Sequence, residues 1–335
     1  MDYKGVSENV ISNSPVEPAG GFVINENGLI TKYTGTKTDV VIPQAIRGIA
    51  VQAIGERLFQ GKGLTSVVIP ESVTRIGEWA FYDNQLVNVV IPNSVTQIAC
   101  GAFFKNRLTA IVIPNSITKI SDFTFFGNEL ANVVIPKSVT EIGKSAFHDN
   151  QLKEVIIPNS VIEIADGAFL KNQLMEIVIP ESITEISDGA FAHNQLKEIT
   201  IPDSITEIGN SAFFNNQLME VTIPESVVKI GGNAFRGNQL TKIVISKNVT
   251  QIGWAAFANN QLTEIVFSDG VTKIDRMAFI DNQLSSITIL GKLSLHRKSR
   301  YPEPAFDNGF DDLYKSNKKK GGTYLFDGKD WSIKE

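Results

Sequence analysis

The chain has 335 residues, of which 42% are hydrophobic, and its formal net charge is −5. A negative charge argues against nucleic acid as a partner, because phosphate binding needs a positive field. No stretch approaches the length of apolar sequence that spans a bilayer, so no membrane span is predicted. The single cysteine, Cys100, excludes an intrachain disulfide.

The first part of the chain is predicted to contain a tail and a cap. Residues 1–20 have no basic region followed by an apolar run, so no signal peptide is predicted. Their Ser, Asn, Pro and Glu content predicts disorder. Residues 21–63 are predicted to form an N-terminal cap and a degenerate first repeat, because "FVINENGLITKY" has two strand-like runs around Asn27-Gly28, a hairpin signal.

The central part of the chain, residues 64–290, repeats with a period of 22 residues. The unit reads N-Q-L-x-x-[IV]-x-I-P-x-S-[IV]-T-x-I-G-x-x-A-F-x-x. A period of this length predicts a solenoid, in which each turn buries its apolar residues against the next turn. Two rows define the register: Leu at 64, 86, 108, 130, 152, 174, 196, 218, 240, 262 and 284, and Phe at 59, 81, 103, 125, 147, 169, 191, 213, 235, 257 and 279.

Each unit is predicted to hold one short strand and a return arm. In "NVVIP" at 88–92, Val89 and Ile91 are two residues apart and share one face. Pro92 lacks an N–H and ends the ladder. The apolar residues of 95–103 are spaced by three, four and one, which favours a loosely helical or turn-like arm over a second long strand.

The tripeptide "NQL" at 84–86 recurs in most repeats and calls for a separate interpretation. Asn84 and its counterparts fall at the bend before the strand, where an amide side chain can bond backbone groups that a tight corner leaves unpaired. Strict repetition favours a structural role over a recognition code. On this basis, Asn194→Ala is predicted to cost about 1–2 kcal/mol of stability.

The last part, residues 291–335, is predicted to be an atypical last repeat with a C-terminal cap. "YLFDGKDWSI" at 324–333 repeats the hairpin signal around Asp327-Gly328. "NKKKGG" at 317–322 is a short basic stretch, and we interpret it as a solvated turn rather than a nucleic-acid or heparin patch.

The sequence offers no catalytic constellation. The histidines, His148, His193 and His296, do not share one row of the repeat, so no metal site is predicted. Cys100 has no histidine near it in sequence to activate a thiolate. Nucleophile-elbow, zinc-protease, phosphate-loop and dinucleotide motifs are absent from the sequence. A non-enzymatic protein without a cofactor is therefore predicted.

Two solvent-facing rows of the strands are the predicted binding surface. One row is β-branched, which suits partner binding and equally suits an exposed strand position. The other row is largely glutamate, which suits a basic protein, divalent cations or a face that only confers solubility. The predicted ligand-binding residues are Val134, Glu154, Ile156, Glu176, Val178, Glu198, Thr200, Glu220, Thr222, Lys242, Val244 and Glu264.

The repeat unit resembles a known family. Its L-x-x-[IV]-x-I strand, return arm and Phe row follow the leucine-rich-repeat layout, and "IPxSVTxIGxxAF" resembles the bacterial BspA-like (Treponema pallidum-type) repeats over roughly residues 40–290. "NQL" stands where many family members have a cysteine or another small residue before the leucine. The resemblance implies a strand-rich α/β right-handed solenoid with short helical or turn return arms. It also implies a parallel sheet on the concave face, and we expect β-hairpin caps at both ends.

The same resemblance implies a function. As a family, BspA-like proteins are surface or secreted proteins of host-associated microbes that bind host matrix proteins or other cells. It implies an extracellular or cell-surface adhesion protein that binds a host matrix or microbial surface protein through its concave strand face. An intracellular scaffold or a passive structural spacer is the alternative, and the sequence leaves the oligomeric state open.

Overall fold

One or two short strands and a series of turns form each repeat in the computed structural model, which describes residues 20–296 and 303–334. Apart from Gly20, the predicted disordered tail lies outside the described residues. In chain order, the elements are β1 Phe22–Ile24, β2 Leu29–Tyr33, β3 Asp39–Val41, β4 Ala45–Ile46, β5 Ile49–Ala50, β6 Ala53–Ile54, β7 Ser66–Val68, β8 Arg75–Ile76, β9 Gln97–Ile98, β10 Ala110–Val112, β11 Lys119–Ile120, β12 Asn132–Val134, β13 Glu141–Ile142, β14 Glu163–Ile164, β15 Glu185–Ile186, β16 Glu207–Ile208, β17 Glu220–Thr222, β18 Lys229–Ile230, β19 Lys242–Val244, β20 Gln251–Ile252, β21 Glu264–Phe267, β22 Lys273–Asp275, β23 Ser286–Ile289, β24 Ser294–His296, α1 Phe310–Ser316, β25 Gly322–Phe326 and β26 Trp331–Ile333.

The strands form two parallel columns, and the predicted solenoid is confirmed. The first column contains the predicted strand of the repeat, for example β10 paired with β12 in the register Ala110↔Asn132. The second column lies on the return arm, for example β13 paired with β14 in the register Glu141↔Glu163. Both registers are 22 residues apart, so the sequence period is the structural period. The return arm is turn-like, and none of the described repeats contains a helix within it.

A continuous apolar core runs the length of the solenoid. The rows of Leu and Phe and both inward rows of the first column are buried almost throughout the described chain. From Phe59 to Phe306, each Phe ring of the row stacks on the next, with centroids 5.1–5.9 Å apart and planes within 18° of parallel. Stacking neighbouring turns therefore buries what one turn cannot bury alone.

The asparagine of each "NQL" joins consecutive repeats. The Asn194 Nδ2–H donates to the carbonyl of Phe169 in the preceding repeat at 3.0 Å and to that of Phe191 at 3.1 Å. Its Oδ1 accepts from the Leu174 N–H at 3.0 Å. The predicted bonding to the bend of its own and of a neighbouring turn is confirmed. We call the set the asparagine ladder: Asn84, Asn106, Asn128, Asn150, Asn172, Asn194, Asn216, Asn238, Asn260 and Asn282.

Serines interrupt the second column at two places. In most repeats a backbone N–H donates a hydrogen bond to the isoleucine carbonyl of the preceding repeat. For example, the Ala165 N–H donates to the Ile142 carbonyl at 2.9 Å. At the equivalent position the Ser187 hydroxyl donates instead to the Ile164 carbonyl at 2.6 Å, and Ser121 does the same to Ile98. The pairing stops there, between β9 and β11 and between β14 and β15. A side chain that competes for a carbonyl explains these breaks.

Substituting Ser187 tests this cause. Ser187→Ala is expected to reconnect β14 and β15, because the N–H of residue 187 becomes the donor for the Ile164 carbonyl. Amide hydrogen exchange at residue 187 should slow by about tenfold or more, while the free energy of unfolding changes by less than about 0.5 kcal/mol. Ser187→Thr keeps the hydroxyl and serves as the control. Equally fast exchange in Ser187→Ala would contradict the explanation.

The two hairpins cap different columns. At the N-terminal end, β1 and β2 form the predicted antiparallel hairpin, and β2 pairs with β6 of the second column. At the C-terminal end, β25 and β26 form the other predicted hairpin, and β25 pairs with β23 of the first column. Among the described residues, β3 pairs with β7 alone, so the N-terminal edge of the first column has no strand partner.

Two elements of the caps were not predicted from the sequence. β4 and β5 form a further short hairpin in the N-terminal cap. The second unpredicted element is the helix α1 in the C-terminal cap. The carboxylate of Asp311 in α1 accepts hydrogen bonds from the N–H groups of Ala305 at 2.9 Å and Phe306 at 3.1 Å. This buried carboxylate fixes the last repeat to the helix that covers it.

Candidate binding surface on the first column

The outward side chains of the first column and of the segments in register with it form one surface, which we call the strand face. All twelve predicted binding residues are exposed on it. Val134, Glu220, Thr222, Lys242, Val244 and Glu264 lie in strands. The other six, Glu154, Ile156, Glu176, Val178, Glu198 and Thr200, lie in segments of the same register that form no ladder. The β-branched members are largely solvated, with Ile156 84% exposed and Val178 78% exposed.

Part of the strand face forms an open groove of about 780 Å³. The groove brings seven of the predicted residues together, whereas Val134, Glu154, Ile156, Lys242 and Glu264 lie outside its lining. Its outward β-branched residues are Val178, Thr200, Thr222 and Val244, one from each of four consecutive repeats. These repeats therefore present a strip of two valines and two threonines between acidic borders.

The borders of the groove are acidic. Glu176, Glu198 and Glu220 line the side where the strands begin. Asp203 and Glu225 line the side where the strands end. Within the described chain, the three glutamates of the first border form no ion pair, and Glu225 pairs with Lys247 at 3.7 Å. The first border therefore carries negative charge that no ion pair of the described residues compensates, whereas Glu225 on the second border is paired.

One polar group in the groove was missed by the sequence analysis. Ser246 lines the groove, and it is only 7% exposed. Its hydroxyl has no hydrogen-bond partner among the described residues. The signal in the sequence was the loss of proline, since Ser246 occupies the repeat position of Pro224. The hydroxyls of Ser160, Ser204, Ser226 and Ser268 are likewise buried without a partner in the described part of the chain, so this property recurs along the repeats and is not specific to the groove.

A second feature missed by the sequence analysis is an aromatic row on the turns. Tyr82, Phe104, Phe126 and His148 occupy one position in four successive repeats, and Trp79 packs against the first two. All five side chains are half-buried, so they pack against each other rather than forming a free surface. Burial lowers the pKa of His148 below its ordinary value, which keeps the imidazole neutral near pH 7.

The side chains with possible chemical roles are the potential metal ligands and the single cysteine. Among residues 20–296 and 303–334, no three His, Cys, Asp or Glu side chains come together as metal ligands could. Cys100 is half-buried, and burial raises the pKa of its thiol, which disfavours the nucleophilic thiolate. Within the same part of the chain, no helix has the length and apolar character to cross a membrane.

Comparison with known proteins places the solenoid among bacterial repeat proteins. Two ranges, residues 52–175 and 163–288, match the family model described as the BspA type leucine rich repeat region (6 copies). The chain is similar to a leucine rich cell surface protein from Faecalibacterium prausnitzii, at 28% identity and a TM-score of 0.57, over 82% of this chain and 88% of that chain. No curated protein matches this chain.

A further similar structure is the pneumococcal vaccine antigen PcpA, at 18% identity and a TM-score of 0.53 over 82% of each chain. Identity this low shows a shared fold alone. The repeat match is stronger evidence, because it spans residues 52–288, well over half of the chain. With its 22-residue register and its stacked Phe row, this protein belongs to the BspA-type leucine-rich repeat family.

Proposed function

We propose that this protein is a non-enzymatic recognition protein that binds a host matrix or microbial surface protein through its strand face. The observation that carries the proposal is the groove, where exposed β-branched side chains of four repeats lie between acidic borders. Contiguous apolar surface rimmed by polar residues is typical of protein interaction sites. The cell-surface description of the protein from Faecalibacterium prausnitzii supports an extracellular or cell-surface location.

Binding can be tested with variants that remove apolar surface from the strand face. Purified protein is applied to immobilised extracellular matrix proteins and to intact bacterial cells. The double variant Ile156→Ser/Val178→Ser is expected to lower the affinity for the bound protein by about tenfold or more, because it removes apolar area that a bound partner would shield from water. The matched control is Ile162→Ser/Val228→Ser, which removes exposed β-branched residues from the return arm instead.

The control defines what would contradict the proposal. We expect Ile162→Ser/Val228→Ser to change the affinity by less than about twofold. Equal losses in both double variants, or no binding to any surface protein, would favour a passive structural spacer. Fractionation of the native organism separates the other alternative, because an intracellular scaffold is found in the cytoplasmic fraction and an adhesion protein in the medium or at the cell surface.

A further inference from the structure

We propose that residues 8–12 of this chain pair with the open edge of β3 and complete the first turn of the solenoid. Among the described residues β3 pairs with β7 alone, so one edge of β3 has no strand partner. Open strand edges present N–H and C=O groups that a further strand can bind. A segment of the same chain at this edge would also exclude a second copy of the protein from it.

The backbone groups of β3 point to two sides. The Ile42 N–H donates to the Val68 carbonyl at 3.0 Å, so Ile42 faces β7. Successive residues of a strand direct their N–H and C=O groups to alternate sides. Asp39 and Val41 therefore direct these groups away from β7. Within the described chain none of the four groups has a backbone hydrogen bond, so a parallel strand at this edge finds a complete set of partners.

The open edge of β3 borders a groove of about 680 Å³, which we call the N-terminal groove. Its lining includes residues 39–41 of β3, residues 45–47 of the β4–β5 hairpin and residues 33–37, which follow the β1–β2 hairpin. Gly20, the first described residue, also lines this groove. The part of the chain that precedes Gly20 therefore joins the described structure beside the edge of β3.

Chain order places the missing strand before β1. In a complete repeat the first-column strand precedes the second-column strand, as β7 precedes β8. β2 belongs to the second column, and Tyr33 at its end continues the Phe row, with its ring centroid 5.2 Å from that of Phe59. In the described chain this turn has no first-column strand. The turn of β3 also has a hairpin inserted between its two columns, so a strand upstream of the β1–β2 hairpin follows the same order.

The sequence upstream of β1 contains a copy of the first-column motif. "VISNS" at 10–14 matches "VIPNS" at 90–94 except that Ser12 replaces the proline. The same replacement occurs inside the solenoid at Ser246, in "VIS". Asn9 departs from the motif, because the repeats have Val or Ile at this position. The match nevertheless fixes a register in which residue 11 lies beside residue 42.

This register uses the free groups of β3. Ile11 lies on the inward side, and its N–H donates to the Val41 carbonyl, while the Val41 N–H donates to the Asn9 carbonyl. The first of these is the bond that repeats elsewhere in the column, where the Ile223 N–H donates to the Val244 carbonyl at 2.9 Å. The proposed strand therefore extends the first column with its existing hydrogen-bond pattern.

The chain between the proposed strand and Gly20 is long enough for parallel pairing. Residues 13–19 reach about 25 Å when extended, whereas a strand of five residues is about 16 Å long. Antiparallel pairing of residues 13–19 with β3 is disfavoured because Pro15 and Pro18 have no N–H. These prolines are three residues apart, so one of them faces β3 in either register. Residues 8–12 contain no proline.

Two prolines one residue apart test the register in the full chain. Ile11→Pro removes the N–H that bonds to β3, and the Val41 amide is expected to exchange its hydrogen about tenfold faster or more. Ser12→Pro supplies the proline that the repeats carry at this position, where the N–H points away from β3. We expect Ser12→Pro to change the exchange rate by less than about twofold.

Amides of the central repeats are the control for folding, and their exchange should stay the same in both variants. Equal acceleration of the Val41 amide by the two prolines would overturn the proposal. So would a Val41 amide that already exchanges at the rate of an unprotected peptide in the unsubstituted protein.

Disulfide formation tests which strand lies beside β3. In a Cys100→Ser background, Val10→Cys/Val41→Cys places thiols on strands about 4.8 Å apart, a separation that a disulfide can bridge. Val10→Cys/Val68→Cys is the matched control, because β7 lies one strand further, at about 9.6 Å.

Mass spectrometry of the oxidised full-length variants is expected to show a cross-link within one chain for Val10→Cys/Val41→Cys and little for the control. A cross-link between two copies would show that a second molecule occupies the edge and would overturn pairing within one chain. Equal cross-linking of both variants, or cross-linking of neither, would overturn it as well.

Discussion

Replacing Asn194 with alanine is expected to lower the free energy of unfolding by about 3–4 kcal/mol. The substitution removes the hydrogen bonds to Phe169, Phe191 and Leu174. The backbone groups left behind are buried, and each one without a partner costs about 1–3 kcal/mol. The effect exceeds the 1–2 kcal/mol expected from the sequence, because the sequence did not show that the side chain is buried and that it satisfies several buried backbone groups at once. Urea denaturation followed by circular dichroism measures the loss.

Neighbouring substitutions show whether the hydrogen bonds are the cause. Gln195 is exposed, and Gln195→Ala should change stability by less than about 0.5 kcal/mol. Asn194→Asp keeps the acceptor for Leu174 but loses every bond that the amide N–H groups donate. Because it also adds a buried charge, its destabilisation should be at least as severe. A denaturation midpoint of Asn194→Ala equal to that of the unsubstituted protein would contradict the structural role of the asparagine ladder.

Truncating a ring in the Phe row is expected to have the largest effect of a single substitution. Phe169 is fully buried and stacks between Phe147 at 5.5 Å and Phe191 at 5.9 Å. Phe169→Ala removes both ring contacts and opens a cavity, at a cost of about 3–5 kcal/mol. Because each repeat contacts only its neighbours, the loss weakens the two interfaces at the centre of the solenoid.

The position of this effect along the chain can be measured as well as its size. Hydrogen exchange of Phe169→Ala should accelerate most in the repeats next to residue 169 and least in the caps. Phe169→Leu fills most of the cavity and should cost clearly less, about 1–2 kcal/mol. Uniform acceleration along the whole chain would contradict a nearest-neighbour description and would show that the solenoid unfolds as one cooperative unit.

The sequence predicts the repeated part of the fold well because its signals are redundant. Leu and Phe return at fixed intervals, and each return confirms the register of the one before. The parallel register of 22 residues, the buried rows and the asparagine bonds all follow from this one period. The hairpins of the caps were predicted from Asn27-Gly28 and Asp327-Gly328, since this chemistry suits tight turns.

Features that depend on a single repeat were harder to predict. The breaks at Ser121 and Ser187 come from a competition between a hydroxyl and a backbone N–H, and the sequence shows only a small residue at both positions. α1 is too short to have a helical period. At the candidate site, outward residues were predicted from strand alternation, but the groove and the unsatisfied Ser246 depend on how successive repeats pack together.

The asparagine ladder has a consequence for synthesis of the chain. Each member reaches back to the repeat that precedes it in sequence, as Asn194 does to Phe169 and Leu174. A ribosome releases the N-terminal repeats first. The bend of each repeat can therefore complete its hydrogen bonds when the next asparagine emerges. A growing solenoid then has one bend with incomplete hydrogen bonds at a time. Vectorial growth of this kind limits the apolar surface exposed to aggregation, however many repeats the gene encodes.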